Sequence, residues 1–176
     1  MKKVIVALTL ILGLSFGTFA QDYSIKRGYK GFVDFGYTTI IEGYNSGKID
    51  VETSHGFQFN PYLYVGVGFA VECYTQSTFM AMPFFVNVRV TPLNGKVTPY
   101  VDLKGGHNAL GYFEGLYLSP TLGCRIGLTR KVGLNVGIGY TLQQTNTKYY
   151  EWDPLNKLEN KTINIDGLTF RFGFDF

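Results

Sequence analysis

The two histidines, His55 and His107, are the side chains best suited to proton transfer near neutral pH. Acid–base catalysis would also need a nucleophile or a second titratable group at a defined spacing. No nucleophile stands at a diagnostic spacing from either histidine. His107 falls at the start of a predicted loop, near Asn108 and Glu114, where a single histidine is usually a solvated side chain. The sequence therefore predicts no catalytic residue and no enzyme.

The two cysteines, Cys73 and Cys124, suggest a disulfide if the protein is secreted. Both lie on the apolar phase of predicted strands that are not neighbours, which makes a disulfide improbable on distance alone. No cluster of cysteine and histidine has the spacing of metal ligands. We therefore expect no metal site and no cofactor.

Two glycine-containing segments, GVGF at Gly66 and GIGY at Gly137, have some likeness to phosphate-binding loops. Each lies inside a predicted strand and is not followed by a helix, which argues against phosphate binding. We interpret these glycines as structural residues that make room for large neighbouring side chains.

Nine charged residues fall on the polar phase of the predicted strands. They are Asp34, Glu52, Glu72, Arg89, Asp102, Lys104, Arg125, Arg171 and Asp175. Acids and bases nearly balance, and a closed interior lined by a few such strands is narrow enough for side chains to fill. The pattern predicts that these charges pair and plug the interior. A catalytic cluster and a narrow conducting path stay open as alternatives, and the sequence does not predict the individual pairs.

The first twenty residues have the features of a secretory signal. Lys2 and Lys3 precede an apolar segment at 4–16, and Thr18-Phe19-Ala20 forms a small-x-small cleavage site. The apolar segment is shorter than the ~20 residues of a spanning helix. We expect Sec export, cleavage after Ala20 and one mature domain, 21–176. Loss of the two lysines lowers the formal net charge from +3 to +1, and the interspersed charges do not predict nucleic-acid binding.

Apolar and polar residues alternate with a period of two along most of the mature chain, which is typical of β-strands. The alternation is clearest at 63–72, 82–91, 132–142 and 168–176, and fainter at 29–39, 49–59, 97–105 and 116–128. Each segment has about ten residues or more, the length of a tilted strand that crosses a bilayer. We therefore predict an all-β fold, an eight-stranded antiparallel up-and-down transmembrane barrel.

The connections between these strands alternate in length. Short turns are predicted at 60–61, 92–96 and 129–131, and mostly longer, more polar links at 41–47, 75–79, 106–114 and 145–160. Membrane barrels have short turns on the periplasmic side and longer loops outside. The pattern places both ends of the mature chain in the periplasm.

The composition of the two strand faces favours a membrane barrel over a soluble one. The apolar face is bulky on every strand, whereas the polar face is rich in glycine and has few charges. Aromatic residues near the strand ends fit girdles at the two membrane interfaces. These residues are Tyr29, Tyr37, Phe57, Phe59, Tyr62, Tyr140 and Phe176.

The chain ends in FRFGFDF, with Phe172, Phe174 and Phe176 alternating. This ending resembles the C-terminal strand signal of Gram-negative outer-membrane barrels, and the mature chain resembles the small porin-like group that includes OmpX and the OmpA transmembrane domain. The resemblance implies an outer-membrane location, contact with the lipid bilayer, and recognition of the last strand by the barrel assembly machinery. Peptidoglycan binding is not implied.

The last predicted outer loop contains the aromatic residues Tyr149, Tyr150 and Trp152 among alternating charges. Such a surface could contact an extracellular ligand or a host surface. An equally open alternative is that Trp152 lies in the headgroup layer. Our interpretation is a non-enzymatic outer-membrane barrel with a structural or surface-contact role. The alternatives are a small solute pore and, with less support, a lipid-modifying enzyme at the outer rim.

Overall fold

The computed structural model describes residues 25–42, 47–75, 80–111, 115–129, 131–149 and 159–176. Eight strands follow one another along these ranges. They are β1 (Gly28–Glu42), β2 (Gly47–Asn60), β3 (Leu63–Tyr74), β4 (Met80–Val90), β5 (Val97–Gly111), β6 (Gly115–Gly127), β7 (Gly133–Tyr149) and β8 (Glu159–Asp175). In these ranges we find no helix that is long and apolar enough to cross a membrane.

The eight strands form a closed barrel in chain order, and each strand is antiparallel to its neighbours. The barrel closes where β1 pairs with β8, in a register that sets Phe32 opposite Asp175 and Thr38 opposite Thr169. The predicted eight-stranded antiparallel up-and-down barrel is confirmed.

Side chains alternate between the interior and the outer wall along every strand. In β4, for example, the even-numbered residues are exposed or half-buried, and the odd-numbered residues are buried. The outer wall consists of large apolar side chains, and all seven residues predicted for the aromatic girdles are exposed. Large apolar side chains therefore face outward and polar ones face the narrow lumen, the opposite of a soluble barrel.

Several strands are longer than predicted. β5 continues to Gly111, so the link predicted at 106–114 is wrong over its first six residues. β7 continues to Tyr149 and β8 begins at Glu159. All residues of the predicted 145–160 link that the structure describes, 145–149 and 159–160, are therefore strand. These segments are polar, but β7 and β8 pair in regular register over 17 residues each, and this pairing satisfies the backbone without an apolar face.

One end of the barrel has three short turns and both described chain ends, and we call it the short-turn end. Asn60 closes the turn between β2 and β3 because its Oδ1 accepts hydrogen bonds from the backbone N–H groups of Tyr62 and Leu63, at 2.8 and 2.9 Å. Thr129 acts similarly between β6 and β7, where its Oγ1 accepts from Val132 N at 2.9 Å. Side-chain caps of this kind fix short turns and hence the strand register.

Candidate functional site

The lumen contains the charged residues that are candidates for function. Twelve charged residues with described side chains are buried there, and six are acids and six are bases. They are Lys30, Asp34, Lys48, Asp50, Glu52, Glu72, Arg89, Asp102, Lys104, Arg125, Arg171 and Asp175. All nine of the charged residues singled out in the sequence are among them, brought together on the inner faces of strands β1 to β6 and β8.

The layer nearest the short-turn end is organised around Asp175. Arg125 donates from Nε to Asp175 Oδ1 at 2.8 Å and from Nη2 to Oδ2 at 3.0 Å, the paired geometry that suits a guanidinium and a carboxylate. Lys30 Nζ lies 2.8 Å from the same carboxylate, and Asn135 donates to it at 3.1 Å. One anion from the last strand therefore contacts residues of three other strands, β1, β6 and β7.

The middle layer contains the carboxylate of Glu52, which accepts hydrogen bonds from both Lys104 and Arg171. Arg171 also donates to Ser119 Oγ at 2.9 Å, and Lys104 Nζ lies 3.6 Å from Asp34. These contacts link β1, β2, β5, β6 and β8 across the barrel. They make Glu52 the anion on which two buried cations depend.

Arg89 lies in the same layer, between two aromatic rings. Its guanidinium carbon is 4.1 Å from the ring centroid of Phe32 and 4.2 Å from that of Tyr100. It donates to Asp102 Oδ2 at 2.9 Å and to Asn135 Oδ1 at 3.1 Å. Cation–π and charge-assisted contacts together hold this side chain across the lumen.

The layer farthest from the short-turn end centres on Lys48, which donates to Glu72 Oε1 at 2.7 Å and to Gln143 Oε1 at 3.1 Å. Asp50 lies beside this pair, directly opposite Glu72 in the strand register. Asp50 is buried, and neither of its carboxylate oxygens has a hydrogen-bond partner among the residues that the structure describes. The carboxylate of Asp50 thus faces the lumen without a direct partner.

Aromatic side chains and glycines fill the space between the charges. Gly66 leaves room for the ring of Tyr64, and Gly123 and Gly137 leave room for Tyr100, because a Cβ at these glycines would collide with the tyrosine side chain. This packing favours the structural interpretation of the GVGF and GIGY segments. The glycines leave space in the lumen, and the aromatic rings fill it between the charged layers.

Sequence reasoning missed three of the buried charges, Lys30, Lys48 and Asp50. Of six inward aromatic residues, it placed Tyr64, Phe85 and Tyr117 on the polar phase but gave none of the six a role in the lumen. Lys30 and Asp50 have the same period-two phase as Asp34 and Glu52, so the phase alone could have identified them. Lys48 was missed because β2 was predicted to begin one residue after it. The inward aromatics are Phe32, Tyr64, Tyr74, Phe85, Tyr100 and Tyr117.

The histidines lie on the outer wall. The prediction for His107 was wrong, because it is an exposed residue of β5 and not of a loop. His55 is bound on both sides, with Tyr29 Oη 2.6 Å from Nδ1 and Thr53 Oγ1 3.0 Å from Nε2. Thr53 donates to the carbonyl oxygen of Phe32, so we assign the imidazole proton to Nε2 and the phenol as donor to Nδ1. This arrangement leaves neither imidazole nitrogen unpaired.

The last residue, Phe176, packs across the line where the barrel closes. Its backbone exchanges two hydrogen bonds with Gly31 of β1, at 2.9 and 3.0 Å. Its ring lies over Gly31, which has no side chain to block it, and reaches the imidazole of His55 on β2 with ring centroids 6.3 Å apart. The chain end therefore contacts both strands that follow the closing line.

The structure describes both cysteines but only part of the predicted contact loop. Cys73 and Cys124 are free and exposed on β3 and β6, in agreement with the expectation of no disulfide. Tyr149 is the last residue of β7, whereas Tyr150 and Trp152 lie outside the described residues. Where the structure describes side chains, no group of three or more histidine, cysteine or acidic residues could hold a metal ion.

Comparison with known proteins identifies the fold but no close relative. No known family model matches the sequence, and no curated protein matches it. Among solved structures, the outer membrane protein OprG from Pseudomonas aeruginosa is 13% identical with a TM-score of 0.58, and the match covers 88% of this chain and 98% of that chain. Neisserial surface protein A is 14% identical with a TM-score of 0.55, and the match covers 86% and 98%.

A de novo designed transmembrane β-barrel is 15% identical with a TM-score of 0.50, covering 87% of this chain and 98% of that chain. These identities are low, so the similarity extends to the fold and not to the activity. The chain has the closed eight-stranded antiparallel fold of small outer-membrane barrels.

Proposed function

We propose that this protein is a non-enzymatic integral barrel of the bacterial outer membrane, that paired charges plug its lumen, and that it acts through its structure or its outer surface. The observation that carries the proposal is the network of six buried cations and six buried anions. Each of the three layers contains ion pairs at distances from 2.7 to 2.9 Å. In the middle layer, Lys104 on β5 reaches across the barrel to Glu52 on β2 and Asp34 on β1. A lumen filled in this way leaves little room for a solute.

The outer wall supports the membrane location. Its exposed side chains include Phe170, Phe172 and Phe174 on β8, and exposed aromatic and aliphatic side chains lie along the other strands. A continuous apolar surface of this extent is unusual on a soluble monomer and is typical of a wall in contact with lipid. We propose export with a signal cleaved after Ala20, and assembly-machinery recognition of the strand that ends in Phe172, Phe174 and Phe176.

The absence of catalytic activity is part of the proposal. Both nitrogens of His55 are engaged in hydrogen bonds on the outer wall, and His107 is also on the outer wall, in β5. Neither histidine faces the charged lumen. A lipid-modifying enzyme would need an exposed group able to accept a proton beside a nucleophile, and the positions of the two histidines favour a structural role instead.

Conductance measurements test the plug. We expect refolded, unmutated protein in a planar bilayer to give no large, long-lived single-channel current, because moving ions would have to break pairs in three successive layers. Folding is verified first by heat-modifiable gel mobility. Stable openings of large conductance would contradict the plug and favour the second candidate, a small solute pore. For a pore, the carboxylate of Asp50, which has no hydrogen-bond partner among the described residues, offers a polar contact for a solute in the lumen.

A surface-contact role is tested by replacing the aromatic residues at the end of β7 and in the segment that follows it. We expect replacement of Tyr149, Tyr150 and Trp152 with serine to leave the barrel folded, since all three lie at or beyond the end of β7. Binding of whole cells to a host surface should fall, because aromatic anchors of an interface contribute about 2 kcal/mol or more each. The control is Lys157→Ser in the same segment.

The fluorescence of Trp152 provides an independent measurement, since it is the only tryptophan in the chain. A contact surface requires emission typical of a water-exposed indole. Blue-shifted emission quenched by brominated lipid would place the indole in the headgroup layer and contradict the contact role.

A further inference from the structure

Asp50 differs from the other charged residues of the lumen in its contacts. It is one of the twelve buried there, and it is only 2% exposed. Each of the other eleven takes part in at least one ion pair with another residue of the lumen. Asp50 takes part in none of them, and neither of its oxygens accepts a hydrogen bond. In the part of the lumen that the structure describes, it is the only buried charge without a counter-charge in contact.

The cost of burying such a charge points to a ligand. A carboxylate is expensive to remove from water, and buried charges in proteins are paired or bound to metal ions. A charge left uncompensated in the interior is strongly destabilising. Asparagine would fill the same space without a charge. The aspartate at this position is therefore explained by a positively charged partner that comes from solution.

The position of the carboxylate is defined by the neighbouring strands. In the strand register, Asp50 lies opposite Gly36 of β1 on one side and Glu72 of β3 on the other. A Cβ at Gly36 would collide with both carboxylate oxygens of Asp50. The carboxylate thus occupies space that a side chain at residue 36 would take, and it does not join the ion pair between Lys48 and Glu72.

Oxygen atoms of two neighbouring strands are available beside Asp50. Glu72 uses Oε1 for Lys48, and its Oε2 has no hydrogen-bond partner among the described residues. Opposite residues on one face of a sheet have Cβ atoms roughly 5 Å apart, so the side chains of Asp50 and Glu72 are neighbours. Thr38 is the next inward residue of β1 after Gly36, and it contributes a hydroxyl group. Carboxylate and hydroxyl oxygens are ligands of hard cations.

The charge of the ligand follows from three residues. Asp50 and Glu72 contribute two negative charges and Lys48 one positive charge, so one further positive charge balances them. A divalent ion would exceed this balance, and it takes about six or more oxygen ligands. A monovalent ion that keeps part of its water shell fits two carboxylates better.

We propose that Asp50 binds a small monovalent cation such as Na⁺, which exchanges with the solution. This inference deepens the proposed function and rests on it, since it requires a lumen filled by paired charges. Asp50 lies in the layer farthest from the short-turn end. An ion that arrives from that side reaches Asp50 before the other two charged layers.

The test compares urea unfolding in two salts. Unmutated protein in phosphatidylcholine vesicles is equilibrated with NaCl or with choline chloride, whose cation is larger, each at about 0.15 M so that exposed charges are screened equally. At a fixed urea concentration, we expect the ratio of folded to unfolded protein to be about fivefold higher in NaCl, which corresponds to Na⁺ at about four times its dissociation constant. Heat-modifiable gel mobility measures the ratio.

The variant Asp50→Asn keeps the size of the side chain and removes its charge. It should abolish the difference between the two salts. In choline chloride it should be more stable than the unmutated protein, because no uncompensated carboxylate stays buried. A variant that is less stable than the unmutated protein in both salts would instead give Asp50 a structural role and overturn the proposal.

Asp102→Asn is the matched control. Asp102 is also a buried aspartate of the lumen, but it has a direct partner, since Arg89 Nη2 lies 2.9 Å from its Oδ2. This variant should be less stable than the unmutated protein in both salts, because Arg89 loses its anion. The roughly fivefold difference between NaCl and choline chloride should persist, since Asp50 is unchanged.

Failure of this inference is distinguishable from failure of the proposed function. Equal stability of the unmutated protein in the two salts would overturn the cation site, and so would a preference for Na⁺ that persists in Asp50→Asn. Both results leave the plugged barrel in place. Large, stable single-channel currents would overturn the plug, and with it the closed lumen on which this inference rests.

Discussion

Replacing Glu52 with alanine is expected to lower the free energy of unfolding by about 3–5 kcal/mol, the range measured when one partner of a buried ion pair is removed. The carboxylate of Glu52 is fully enclosed and accepts hydrogen bonds from Lys104 and Arg171. Without it, two cations stay buried close together with one anion fewer. Urea unfolding in lipid vesicles, followed by gel mobility, measures the change.

Two further variants identify the cause of the loss. Glu52→Gln keeps the size of the side chain but removes the charge and replaces one acceptor oxygen by an NH2 donor, so most of the destabilisation should persist. Lys131→Ala removes an exposed charge, and its effect should stay within about 0.5 kcal/mol. A mild effect of Glu52→Ala, comparable to that of Lys131→Ala, would mean that Lys104 and Arg171 do not depend on this carboxylate.

Gly106→Ala is expected to prevent normal closure of the barrel, at a cost of at least about 3 kcal/mol, the upper part of the range for overpacking. Gly106 lies in β5 between Phe85 on β4 and Tyr117 on β6, whose rings stack with centroids 5.9 Å apart. A Cβ at this position would collide with the carbonyl oxygen of Phe84 and the Cα of Phe85. Backbone atoms of a paired strand cannot move aside cheaply.

The adjacent glycine provides a control of opposite sign. A Cβ at Gly105 would meet only Leu118 Cδ1 at 3.7 Å, an ordinary contact. Gly105→Ala should therefore be neutral or stabilise the protein by up to about 1 kcal/mol, because alanine restricts the unfolded chain. The yield of heat-resistant folded protein compares the two variants directly. Similar yields for both would refute the close packing around Gly106.

The strand phase and the number of strands were predictable because a period of two needs only residue types. In β8, apolar residues at 170, 172 and 174 alternate with small or polar residues at 169, 171 and 173. Within the apolar band, this alternation identifies the outward face of the strand. The pattern fades beyond the apolar wall. At 145–149 the residues of both strand phases are polar, so the composition does not distinguish a paired strand from a loop. This segment forms a strand because it pairs with β8.

The buried charges were partly predictable for a similar reason. Phase alone identifies an inward residue such as Asp34, but the choice of partner depends on how strands that are not neighbours in the barrel face each other across the lumen. Arg125 pairs with Asp175, 50 positions away, and Arg171 with Glu52, 119 positions away. Pairs at such separations follow from closure and register, which sequence spacing does not encode. The aromatic sandwich around Arg89 was missed for the same reason.

The pairing of the first strand with the last has a consequence for the order of folding. β7 and β8 are consecutive in the chain and can pair locally, whereas Thr38 and Thr169 on β1 and β8 are 131 positions apart. Bringing distant segments together costs more chain entropy than closing a short loop. One edge of β1 therefore keeps unpaired backbone groups, to which other chains could bind, until β8 has been synthesised. The hydrogen bonds between Gly31 and Phe176 extend that pairing one residue beyond β8, so the exposure of the first strand ends only when this distant segment is in place.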